Sequence, residues 1–134
     1  MREITSHRVN GLNEALRVQA LDQPGEGGAC HRYHITTTEV PPPPETDLDK
    51  CQSMIQAVTD MHFQNGPMAE KGVNGISNEA LLAIVLDRLE CFQKGPFTCR
   101  ENALALTKIQ EAMHWLHHRT RERVARGVEG THIV

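Results

Sequence analysis

Aromatic side chains are scarce in this sequence: one Trp, one Tyr and three Phe make up 4% of 134 residues. Hydrophobic residues reach only 39%, and the mean hydropathy is −0.44. A chain of this length can bury a core, but so lean a composition favours burial against a second copy. There is no apolar run long enough to span a membrane, and no signal-peptide or lipidation pattern. Cys30, Cys51, Cys91 and Cys99 form no closely spaced pair, which removes zinc-ribbon and thioredoxin signatures. A soluble intracellular protein with free thiols is expected. An excess of positive charge is lacking too. The net charge of −3 and pI of about 6.2 argue against general nucleic-acid binding.

The charge is uneven, however. Residues 1–98 hold 8 basic and 13 acidic side chains, whereas residues 99–134 hold 6 basic and 4 acidic ones. The two parts therefore carry −5 and +2. Basic character confined to the last 36 residues suits a small anionic ligand better than a polyanion.

The pattern predicts an α+β fold: a small N-terminal antiparallel β-sheet followed by a C-terminal antiparallel helical hairpin. Residues 2–9 alternate and read as a strand, and Asn10-Gly11 is a turn signal. Residues 14–22 alternate again, with Leu16, Val18 and Ala20 on one face. After the loop QPGEGG, residues 29–39 read as a third strand with Tyr33 and Ile35 together. Pro41 to Pro44 form a stiff segment that opens an acidic linker near 40–50. Residues 52–64 fit either a helix, through Met54, Ala57, Val58 and Met61, or a strand, through Ile55, Val58, Met61 and Phe63; a strand over 57–64 that pairs with this meander is the favoured reading. Ser77 or Asn78 can cap a helix over 79–93, with Leu82, Val85, Leu86, Leu89 and Phe92 on one stripe. Lys94-Gly95-Pro96 ends it. Thr98 is the expected cap of a second helix, with Glu101 completing a capping box. That helix runs to about Arg126 and stops at Gly127. Its apolar positions are Leu106, Ile109, Met113, Leu116 and Thr120. One domain over 1–134 is expected, comprising a β region at 1–66 and a helical hairpin at 77–127.

Several motifs invite chemistry. His31 and His34 are three apart on a strand and so face opposite ways. His114, His117 and His118 share a helix but have no acidic or thiol partner at ligand spacing, so no metal is expected. No nucleophile–base pair, paired carboxylates or metal motif of a hydrolase is present. Phosphodiester cleavage by His31 or His34 is the enzymatic alternative. The glycine loops PGEGG and GVNG match no Walker or dinucleotide fingerprint. Arg119, Arg123 and Arg126 fall at i, i+4 and i+7 on the helix, with Glu122 the nearby carboxylate. They read either as a solvated basic face at a helix end or as an anion site, since guanidinium groups suit pyrophosphate.

Residues 95–130, through GPFTCRENALALTKIQEAMHWL and RTRERVARGVEG, resemble the Thoeris anti-defence protein 1 family. These are phage proteins that sequester a cyclic ADP-ribose isomer. FQNGP, GVNG, LLAIVLDRLECFQ and GGACHRYHI extend the likeness upstream, leaving out PPPPETDLDK. The helical hairpin is also similar to phage anti-CBASS protein 2, a cyclic-dinucleotide sponge.

The resemblance implies a non-catalytic protein with no cofactor, working in the cytoplasm of the host bacterium. It would bind glycocyclic ADP-ribose and touch neither nucleic acid nor membrane. A phosphodiesterase acting on the same signal and a protein–protein interaction module are the alternatives. The family's ligand positions fall on Phe92, Asn102, Arg119 and Arg123. Phe92 or an arginine would stack on adenine. Asn102 would bond a ribose or base edge, and the two arginines would neutralise the pyrophosphate. Gly27, Gly28, Ala29 and His31 would close the pocket. Asn102 and Arg119 are 17 residues apart, roughly 25 Å along one helix at 1.5 Å per residue. One small ligand can touch both types of residue only if two protomers share it, so a homodimer or higher oligomer is expected. The family also includes hexamers with a second site for cyclic oligonucleotides, which this sequence leaves open.

Overall fold

The computed structural model describes residues 1–37 and 59–134. The chain divides into two compact units, Met1–Asn65 and Gly66–Val134. The expected polyproline segment and linker lie outside the described residues.

The first unit is a four-stranded antiparallel sheet in the order β1 (Arg2–Ile4), β2 (Leu16–Ala20), β3 (Arg32–Thr37) and β4 (Thr59–His62). Strand alternation sets its faces. Leu16, Val18 and Ala20 pair with Thr37, Ile35 and Tyr33, and Tyr33 pairs with Met61. These residues share the apolar face. Ala20 is fully buried, and the Tyr33 and Phe63 rings meet edge to face with centroids 5.4 Å apart. Arg17, Gln19, His34 and Asp60 take the opposite face, where His34 Nδ1 lies 2.5 Å from an Asp60 carboxylate oxygen.

The strands are shorter than expected, for local reasons. The reading of 2–9 as a strand holds for Arg2–Ile4; the chain then turns, with the Arg8 N–H donating to Thr5 O. Asn10-Gly11 opens a helix instead of a turn: the Asn10 side chain accepts from Asn13 N and caps α1 (Gly11–Ala15). The strand expected from 29 begins at Arg32, because the Asp22 carboxylate takes the N–H groups of His31 and Arg32 at 2.9 and 3.1 Å. Part of the 57–64 strand is observed, as Thr59–His62; residues 57–58 lie outside the described residues.

The second unit begins with the turn at Gly66 (φ 85°) and the short helix α2 (Met68–Lys71). It continues as a helical hairpin of α3 (Asn78–Lys94) and α4 (Arg100–Ala125). Ser77 caps α3 by accepting from Ala80 N. Along α4, Leu106, Ile109, Met113, Leu116 and Thr120 are half-buried as expected. Along α3 the half-buried stripe runs Leu82, Leu86, Leu89 and Gln93, whereas Val85 and Phe92 are exposed. The four-three-four spacing of the inner stripe leaves those two on the flank. Cys30, Cys91 and Cys99 carry free thiols, and Cys51 lies outside the described residues. Among the described residues no helix is long and apolar enough to cross a membrane.

Candidate functional site

The hairpin turn is held by a residue that its sequence does not advertise. Gln93, the last inward position of α3, donates through Nε2 to Cys99 O and accepts through Oε1 from Cys99 N, both at 3.1 Å. The expected cap, Thr98, is displaced by one residue. Cys99 takes the cap position and its sulfur accepts from Asn102 N at 3.4 Å. With Cys99 as the cap, the third helical position is Asn102 and not Glu101, so the expected capping box does not form. The turn therefore pins the backbone on both sides of the candidate residues Phe92 and Asn102.

Phe92 is 41% exposed, and the Arg88 guanidinium lies 5.7 Å from its ring centroid, one helical turn away. An exposed aromatic face beside a cation can stack on a base. Asn102 is half-buried at the start of the inward stripe of α4. Its side-chain amide has no hydrogen-bond partner among the described residues.

Arg119 and Arg123 occupy the other end of the same unbroken helix. Arg119 is exposed and makes no ion pair or hydrogen bond among the described residues. Glu122, its expected neutraliser, sits 3.2 Å from His118 instead. Arg123 continues the inward 102–106–109–113–116–120 stripe, which corrects the expectation of one shared arginine face. Only 14% of its side chain is exposed. It bonds Val128 O, Thr131 O, Ile133 O and the Glu129 carboxylate. Arg126 reaches Val134 O at 3.2 Å.

The remaining candidates belong to the first unit. Gly27 and Gly28 have φ of 70° and 77°, conformations that glycine adopts without strain. Gly25 N donates to Ala29 O and Gly28 N to Gly25 O, closing the loop on itself. His31 is buried, with Nε2 3.0 Å from Glu26 O, so its ring is part of the loop's scaffold. The His31 and Arg32 N–H bonds hold the Asp22 carboxyl below its ordinary value. Phe92 and Asn102 thus lie on either side of the hairpin turn, Arg119 and Arg123 lie one helical turn apart near the far end of α4 on different faces, and Gly27–His31 belong to the other unit.

Comparison with known families adds to this geometry. The family model described as "Acb2/Tad1, hairpin domain" matches residues 56–121. This stretch, about half of the chain, is similar to the Acb2/Tad1 hairpin family. The match includes Phe92, Asn102 and Arg119 of the hairpin and stops short of Arg123. The chain is also 57% identical over 72 residues to Thoeris anti-defense 1 of Bacillus phage SBSphiJ7, covering 54% of this chain and 51% of the relative. The likeness thus spans about half the length of each protein. Gln93, Cys99 and Glu129 carry geometry that the sequence reading missed. Arg88, four residues before Phe92, was legible from helix spacing alone.

Proposed function

We propose that this protein is a phage anti-Thoeris factor that binds and sequesters a cyclic ADP-ribose-type signal, glycocyclic ADP-ribose, in the host bacterial cell. The likeness to Thoeris anti-defense 1 carries the reading, and the site chemistry supports it. Phe92 offers a stacking face, and among the described residues Asn102 offers a free amide and Arg119 an unneutralised guanidinium. An adenine, a ribose and a pyrophosphate require these three kinds of group.

The two ends of α4 meet one ligand when the turn of one protomer lies beside the open end of its partner. Two such pockets arise in an antiparallel two-fold dimer. Gly27, Gly28 and Ala29 supply backbone that can approach a ligand closely, and His31 keeps that loop in shape. The protein works by binding without turnover and needs no metal.

The test is recovery of ligand. The protein is loaded with glycocyclic ADP-ribose, freed of excess and heat-denatured. Intact signal in the supernatant is the expected result. A hydrolysed product would replace sequestration with phosphodiester cleavage, and no uptake would leave an interaction module. A mixed dimer tests the shared pocket. With Arg119→Ala in one protomer and Asn102→Ala in the other, calorimetry should count one working site, not zero or two.

A further inference from the structure

We infer that Glu129 is a displaceable internal anion held on Arg123, and that the ligand's phosphate takes its place while the segment after α4 keeps the guanidinium aimed. This rests on the proposed sequestration of a pyrophosphate-bearing signal and on the phosphate role that the family resemblance implies for Arg123, and adds to them how that arginine is oriented and discharged before binding.

Arg123 has five N–H donors. Nη2 donates to Val128 O and Thr131 O at 2.9 and 3.0 Å, and Nη1 donates to Ile133 O at 2.9 Å. These neutral carbonyls fix the plane of the group without cancelling its charge. Among the described residues the charge is met by one carboxylate, Glu129, whose Oε2 accepts from Nε at 3.0 Å. A carboxylate and a phosphate are alternative partners for the same guanidinium edge.

The two kinds of contact differ in how easily they are lost. Glu129 is 40% exposed and lies between glycines with positive φ, Gly127 at 69° and Gly130 at 75°. Its side chain can swing into solvent without moving the backbone. The carbonyl clamp, by contrast, is anchored independently. Gly130 O accepts from Ala69 N at 3.1 Å, His132 Nδ1 lies 3.0 Å from Glu70, and Thr131 Oγ1 donates to Val128 O at 2.6 Å. An anion can therefore replace Glu129 and find Arg123 already oriented, which lowers the ordering cost of binding. The exchange also selects for ligand charge, since a neutral oxygen cannot offset the ion pair it displaces.

Calorimetric titration of the full chain with glycocyclic ADP-ribose, and separately with inorganic pyrophosphate, tests this. Glu129→Gln removes a pair made only in the unliganded state, so binding should tighten. Exposed ion pairs contribute up to about 1 kcal/mol, so the expected gain is about two- to fivefold at about 1.4 kcal/mol per tenfold. In an Arg123→Gln background the gain should vanish. A gain that persists there would mean general repulsion by Glu129, and an unchanged or weaker Kd for Glu129→Gln would mean no displacement; either overturns the proposal. If Arg123→Gln disturbs the segment, nitrogen-15 spectra of the unaltered protein decide instead. The Arg123 Nε–H resonance should move on adding pyrophosphate while the Val128 and Thr131 amides stay, and a stationary Nε–H would refute displacement. Failure of the functional reading looks different: the cyclic ligand does not bind, yet pyrophosphate binds and still tightens with Glu129→Gln. Binding of neither probe overturns both.

Discussion

Arg119 points into solvent one helical turn before Arg123, whose guanidinium is folded into backbone carbonyls. Arg119→Ala should therefore leave stability nearly untouched and weaken ligand binding by about 2–5 kcal/mol, or roughly 30- to several-thousand-fold. Arg121→Ala, at an exposed position on another face, should cost under about 1 kcal/mol. Calorimetry on the two variants compares them directly, and equal losses would count against a specific phosphate contact. Arg119→Lys should rescue only in part, because an ammonium lacks the planar fork. At Asp22 the folded-state pKa is lowered, chiefly by the His31 N–H bond and further by that of Arg32. Its stabilising contribution is present above the ordinary value near 3.8 and is lost as pH falls through the lowered folded value. Urea unfolding should separate the original protein from Asp22→Asn at neutral pH, and the gap should close in acid. A gap independent of pH would contradict the assignment.

The hairpin turn is an element built from few contacts, so one side chain can loosen it. Gln93→Ala removes both bonds to Cys99 and should cost about 1–3 kcal/mol, since each hydrogen bond contributes about 0.5–1.5 kcal/mol net. Faster amide exchange at Cys99, with the middle of α4 unchanged, is the expected signature. Protection left intact would mean that the Cys99 cap holds the turn alone. The helices themselves were legible because apolar spacing, a serine cap and closing glycines agree over long segments. The cap of α4 was not. Thr98 and Cys99 are adjacent, and the choice between them depends on Gln93 approaching from the other helix. The expected strand at 2–9 fails for a related reason: local turn bonds at Thr5–Arg8 outcompete its β-branched alternation.

As a whole molecule, a single protomer buries little. Among the described residues only Ala15, Ala20 and His31 are buried, and the second unit contains none of them. Trp115 is 66% exposed, and Ile84, Val85 and Leu104 are also open to solvent. Exposed apolar surface on this scale favours association. Light scattering at micromolar concentration should give at least twice the 15.0 kDa chain mass. A ligand-bound monomer would sink the shared-pocket proposal.

Periodicity and turn chemistry in the sequence determined the α+β class, the antiparallel meander, the two long helices and the apolar stripe of α4, because each depends on neighbours a few residues away. They also placed Asn102 and Arg119 at opposite ends of one helix, since rise per residue is a constant of the helix. Tertiary structure decided what surrounds each candidate. It engaged Arg123 with a segment that folds back from beyond Gly127. It also turned His31 into loop scaffold through Glu26 and set Phe92 outside the inner stripe. Those outcomes depend on which partners meet in space, and residue spacing alone carries no record of that.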